Sequence, residues 1–173
     1  MKKLLLTLLC LPLLFTTCKK EEDNTPTNNT VSSQSLLVTG DSLITGSPNV
    51  QLTSYLNVAN VSNKTIDIRC RINPINNTGI NNPTPAEFSF CWGGVCYGSG
   101  TDTSGQLATL ASGQFVVYPD LPAHAGYFDA FTYPCSGKIE YCFYDDANPI
   151  DETCFTVTFN ATTAGVEDKF DVE

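Results

Sequence analysis

The period of the apolar residues constrains this chain more than any other feature. Ile66, Ile68, Cys70 and Ile72 alternate with Thr65, Asp67, Arg69 and Arg71, and the same period of two recurs elsewhere. Leu52, Ser54, Leu56 and Val58 keep it, as do Phe88 and Phe90. Ile139, Tyr141 and Phe143 form another such run, followed by Phe155, Val157 and Phe159. Residues two apart point to one face of a strand, so each run is a strand with one buried face. No window of a dozen residues carries a helical stripe. Turn signals separate the runs: Asn60–Lys64, Asn73–Pro85, Gly93-Gly94, Pro134–Gly137 and Asp145–Pro149. Half-buried strands at this spacing predict two packed antiparallel sheets.

Seven to nine short strands in one domain correspond to a β-sandwich of immunoglobulin-like type. The chain has 173 residues, enough for one such domain with extensions. The first 17 residues read as an export signal. Lys2 and Lys3 precede an apolar run from Leu4 to Phe15, shorter than the ~20 residues a membrane-spanning helix needs. The expected organisation is a signal over 1–17, a tether over 18–35, the sandwich over 36–163 and an acidic tail over 164–173. Residues Asp23–Ser35 are Asn, Thr and Ser with one Pro and one aliphatic side chain, a composition that cannot bury a core.

Phe15-Thr16-Thr17-Cys18 resembles the relaxed lipobox of a bacterial lipoprotein. The resemblance implies cleavage before Cys18 and a diacylglyceryl thioether on its sulfur. Multiple acyl chains, at about 0.8 kcal/mol per buried CH₂, anchor a domain stably. Lys19, Lys20, Glu21, Glu22 and Asp23 follow at once. That run is similar to the surface-export tag of Bacteroidetes lipoproteins, which implies the outer leaflet of the outer membrane.

Six cysteines remain in the domain, and six allow 15 pairings. Strand counting narrows them. Gly93-Gly94 suits a two-residue hairpin turn that sets Trp92 against Val95 and Cys91 against Cys96. A hairpin centred near Asn148 sets Tyr144 against Glu152 and Cys142 against Cys154. Cys70 and Cys135 are then left for each other. The spacings C-x₄-C, C-x₆-C and C-x₁₁-C do not match zinc knuckles, and export favours oxidation.

The stretch Phe88–Tyr97, FSFCWGGVCY, with its flanking strands resembles an immunoglobulin-like domain common in exported Bacteroidetes proteins. There it often precedes a type IX secretion sorting domain. The likeness spans roughly residues 50–162. It implies a structural or interaction module and carries no enzymatic residue onto this chain. With a chain that reads to Glu173, no sorting domain is expected, and lipidation at Cys18 is the expected means of attachment.

Chemistry is sparse. The formal net charge of −9 excludes a phosphate-binding face and with it nucleic acid. The single histidine, His124, reads as a surface or half-buried loop residue, with no nucleophile or carboxylate placed around it. Asp145, Asp146, Asn148, Asp151 and Glu152 crowd one turn, and Asp145, Asp146 and Asp151 are a weak Ca²⁺-type candidate without the spacing of an EF-hand loop. Tyr127, Phe128, Phe131, Tyr133, Trp92 and Tyr97 could stack a sugar. Asp41-Ser42-Leu43 fits a short O-glycosylation pattern on Ser42. The sequons at Asn60, Asn63, Asn76 and Asn160 read as turn chemistry. The expectation is a non-enzymatic, cofactor-free surface lipoprotein, acting as an accessory or binding subunit with a protein partner in the outer membrane. The alternative is a glycan-binding lipoprotein that supports nutrient import. A hydrolase with an unfamiliar carboxylate cleft is a third reading.

One outcome is fixed by the N-terminus alone. Mass analysis of the native N-terminal peptide should find Cys18 as the first residue, acylated; Cys18→Ser should leave the protein unacylated and release it from the membrane fraction.

Overall fold

A computed structural model describes residues 28–117, 119–120 and 123–163. Cys18, the run Lys19–Asp23 and the acidic tail from Ala164 lie outside the described residues. Among those described there are twelve strands: β1 (Asn28–Ser32), β2 (Leu36–Asp41), β3 (Leu43–Gly46), β4 (Leu52–Asn60), β5 (Ile66–Asn77), β6 (Glu87–Trp92), β7 (Val95–Tyr97), β8 (Ala108–Leu110), β9 (Phe115–Val116), β10 (His124–Asp129), β11 (Cys135–Asp145) and β12 (Asn148–Ala161). The only helix among them is a 3-10 turn at Thr78–Asn81.

The strands form an immunoglobulin-like β-sandwich. One sheet runs β1-β2-β4-β10-β6-β7, with β9 paired to β4; the other runs β3-β12-β11-β5-β8. Pairing is antiparallel except between β3 and β12. The chain changes sheets at Ser42, whose carbonyl accepts from Thr158 N at 2.8 Å. The strand count exceeds the expected seven to nine because β7, β8 and β9 are only two or three residues long. Such pieces are too short to show a period.

The alternating runs face inward as expected. Leu52, Leu56 and Val58 of one sheet meet Ile66, Ile68, Ile139, Phe143, Phe155, Val157 and Phe159 of the other. Aromatic rings fill the centre. Phe88 lies 5.1 Å from Phe128, Phe128 stacks on Phe159 at 5.6 Å, and Trp92 tilts against Phe143 at 5.0 Å. Trp92 Nε1 donates to the Ile68 carbonyl of the opposite sheet at 2.9 Å, so the indole satisfies its one donor without leaving the core.

Two staples hold this body. Cys91 bonds Cys96 across the β6–β7 hairpin, with Cα atoms 3.9 Å apart. Trp92 opposes Val95, and Gly93 and Gly94 take φ of 64° and 82°. Only glycine adopts such angles without strain, hence the tight turn. Cys142 bonds Cys154 between β11 and β12, with Cα atoms 4.0 Å apart.

Four expectations need correction. Cys70 and Cys135 are both free thiols. Cys70 opposes Phe143 of β11, eight residues beyond Cys135, and strand rise separates such positions by about 25 Å. A bridge needs Cα atoms within about 7 Å. The sandwich begins before residue 36, inside the expected tether, because Asn28–Ser32 form β1 against β2. An edge strand needs little burial; Val31 alone packs on the core, and backbone pairing supplies the rest. The β11–β12 turn is at Asp146-Ala147, not Asn148, because Asp145 pairs with Asn148 while Tyr144 pairs with Glu152. The three extra residues, Pro149 to Asp151, bulge out on β12 and leave Ile150 94% exposed. His124 opens β10 as a buried strand residue, not a loop residue.

The β10–β11 connection carries backbone strain. Tyr133 N donates to the Ala130 carbonyl at 3.1 Å, and the two residues between, Phe131 and Thr132, have φ of 48° and 79°. Turns of this hand favour Asn-Gly; a β-branched residue there is held against its preference. Asp129 Oδ1, accepting from Phe131 N at 3.0 Å, and the Pro48 carbonyl, accepting from Thr132 N at 2.9 Å, pin it.

Alkylation of the denatured, unreduced domain should label Cys70 and Cys135 and spare Cys91, Cys96, Cys142 and Cys154. Replacing both Cys142 and Cys154 with Ser should lower stability by about 3 kcal/mol, the entropy of a loop of this length, as read by urea unfolding. Thr132→Gly should instead raise it by about 1 kcal/mol by relieving the left-handed residue.

Candidate functional site

The acidic turn does not converge on a cation. Asp145 is 2% exposed, and its Oδ2 accepts from Lys64 Nζ at 2.9 Å. Its other oxygen accepts from Ala147 N at 3.1 Å. Asp146 bonds Arg69 Nε at 2.7 Å, and the guanidinium holds its carboxyl below the usual range. Asp151 accepts from the backbone of Gln34 and Ser35 at 3.1 and 3.4 Å. Glu152 takes a two-pronged contact from Arg71 at 2.6 and 2.7 Å. The carboxylates of the weak Asp145, Asp146 and Asp151 candidate therefore face three different partners. Glu140 lies near the sulfurs of Cys142 and Cys154, but those sulfurs are bonded to each other and offer no thiolate.

The proposed aromatic platform is not assembled either. Trp92 and Phe128 are fully buried in the core. Tyr127 lies on the outer face of β10, its hydroxyl 3.7 Å from Cys91 Sγ. Phe131 and Tyr133 sit in the strained turn, and Tyr97 stacks on Phe90 while its hydroxyl accepts from Gln106 N. Ser42 is half-buried at the sheet crossover. Asn60, by contrast, acts as the expected turn former. Its side-chain nitrogen donates to the Lys64, Leu110 and Ala111 carbonyls, and its oxygen accepts from Ser62.

His124 is enclosed between the sheets. Its ring meets Tyr141 edge-on at 4.4 Å and Phe143 at 5.3 Å, and neither ring nitrogen has a hydrogen-bond partner among the described residues. Burial lowers its pKa to about 3, so the ring is neutral at any ordinary pH. Burial likewise raises the Tyr141 hydroxyl and the Cys70 thiol. Ser54 Oγ lies close by, donating a long 3.5 Å bond to the Gly126 carbonyl. A Cβ on Gly126 would run into Tyr141, which fixes glycine there. His124, Tyr141 and Ser54 thus bring three polar side chains together inside the core.

The open feature lies on the flank of the sandwich. β7 pairs with β6 only as far as Phe90, so Glu87–Ser89 keep a free strand edge. On the opposite sheet, Ile72 N donates to the Asp102 carbonyl at 2.7 Å, and support for β5 on that side stops there. Pro74 has no N–H to continue the ladder, and Ile75 is an extra residue in the register with β11. Between these two edges lies a depression of about 310 Å³. Ile72, Ala86 and Phe88, all nearly buried, form its floor. Ile80, 61% exposed on the 3-10 turn, and Pro74 form its lip, and Ser99–Asp102 cross one end. Asn77 shapes the other end, its oxygen accepting from Gly79 N and its nitrogen donating to the Ala86 carbonyl at 2.6 Å. No residue pattern signals this opening, since it depends on where pairing ends in both sheets.

No protein-family model matches this chain, and no curated protein matches it. Solved structures do resemble it. A PapD-like domain of human CEP192 is 12% identical over 77% of this chain and 89% of that one, with a TM-score of 0.41. A FixG-related protein from Vibrio parahaemolyticus is 12% identical over 75% and 95%, with a TM-score of 0.40. The CARDB domain of the PF1109 protein from Pyrococcus furiosus is 11% identical over 77% and 91%, with a TM-score of 0.37. At these identities the likeness concerns the fold and assigns no activity.

The enclosed imidazole has a measurable signature. In the unfolded chain His124 titrates near its ordinary value of 6.5, while the folded state keeps it neutral. The unfolded chain thus binds the proton first. Stability should be level above pH 6.5 and fall below it by about 1.4 kcal/mol per pH unit. Urea midpoints recorded from pH 8 to 5 should show this slope, and His124→Phe should remove most of it.

Proposed function

We propose that this chain is a non-enzymatic surface lipoprotein that serves as an accessory binding subunit of an outer-membrane assembly. Three features support the reading. The N-terminus has the signature of lipidation and surface export. The body is a rigid, doubly stapled sandwich. The carboxylates of its acidic turn are engaged by Lys64, Arg69, Arg71 and backbone N–H groups, and His124 and Tyr141 are sealed in the core, whereas its apolar interior comes to the surface at one flank. That flank, between β5 and β6, is the observation that carries the reading: a depression with an apolar floor and a free strand edge is built for contact with another chain.

The lipidated protein, extracted from membranes in mild detergent and purified, should bring with it a stoichiometric membrane partner identified by mass. Ile80→Asp, a change at a largely exposed position, should leave the fold intact and weaken that retention about tenfold. Recovery of the chain alone, or a partner indifferent to Ile80→Asp, would count against the subunit. Specific binding on a glycan array would replace this reading with the nutrient-import alternative.

A further inference from the structure

Resting on that reading of the flank, we propose that the opening between β5 and β6 receives an extended, cationic segment of the partner, with one aliphatic or aromatic side chain seated on Ile72, Ala86 and Phe88. The argument is one of size, edge and charge. A depression of about 310 Å³ lies at the small end of ligand sites and suits one or two side chains. The free edge of Glu87–Ser89 can extend the sheet by main-chain pairing, which asks for a strand and not a compact ligand.

Charge selects the partner. Glu87 and Asp102 stand on the rim, and neither makes an ion pair among the described residues. Asp129, opposite Glu87 in the strand pair, adds its charge on the outer face beside this rim, and the combined negative field attracts a cation. No basic side chain among the described residues supplies that cation from nearby. Among the described basic residues, Lys64, Arg69 and Arg71 are engaged with Asp145, Asp146 and Glu152, and Lys138 is exposed on β11, outside the opening. A second copy of this acidic chain would bring more negative charge to the same rim. A Lys or Arg beside the apolar anchor answers both needs.

Fluorescence anisotropy of labelled peptides with the full lipidated protein, in non-ionic detergent, tests the proposal. The probes are Lys-Leu-Lys-Leu-Lys, Lys-Ser-Lys-Ser-Lys and Glu-Leu-Glu-Leu-Glu. The first should bind, the second about tenfold more weakly, and the third not measurably. The pair Glu87→Gln and Asp102→Asn should weaken the first several-fold and flatten its salt dependence. Ile80→Asp, and independently Ser99→Trp as a plug, should abolish it. Equal binding of the leucine and serine peptides, or indifference to both variants, would overturn the proposal. If the peptides fail while Ile80→Asp still sheds the membrane partner, the partner's chemistry is wrong and the subunit stands.

Discussion

The aromatic layer between the two sheets is what the rest of this molecule depends on. Phe88, Phe128 and Phe159 form one cluster, and Trp92 and Phe143 with His124 and Tyr141 form the other. A sheet with one apolar face must bury it, and here each face completes the other. Trp92 adds direction to that burial. Its indole reaches across to the Ile68 carbonyl, so the sheets are registered by a hydrogen bond as well as by volume. The Cys91–Cys96 staple sits next to this tryptophan and limits how far its strand can move.

Local geometry was legible in the residues, and non-local geometry was not. The Cys91–Cys96 pair follows from counting outward from its two-residue turn, because a tight hairpin's register is set by its own loop; Cys142 and Cys154 also pair, but through a turn at Asp146-Ala147 and a three-residue bulge that counting from Asn148 does not contain. Cys70 and Cys135 could only be matched by elimination, and elimination ignores the distance along β5 and β11 that keeps them apart. β1 was hidden because edge pairing needs backbone and not apolar side chains. His124 looked like a loop residue because Leu121-Pro122-Ala123-His124-Ala125-Gly126 has no clean alternation; Ala and Gly leave the pattern blank, and the ring's burial comes from Tyr141 and Phe143, far along the chain.

The acidic turn and the flank opening show why motif reading served the site poorly. A cluster of carboxylates in sequence looks like a cation site until the strands place Lys64, Arg69 and Arg71 against it. The opening is the reverse case. Ile72, Pro74, Ile80, Ala86, Phe88 and Asp102 carry no motif, and their grouping arises only where β7 ends early and Pro74 stops a ladder.

The way the N-terminal strands are laid down has a mechanical consequence. β1 folds back antiparallel on β2, with Asn28 opposite Asp41 at its outer end. Drag on the N-terminus would peel this ribbon open from Asn28, one pair after another, and would free the five residues of β1, about 17 Å of extended chain. Beyond it, β2 and β3 are sewn to different sheets on either side of Ser42, and β3 runs alongside β12. Load reaching that point is borne sideways by several bonds at once. The first strand would thus yield before the body behind it does.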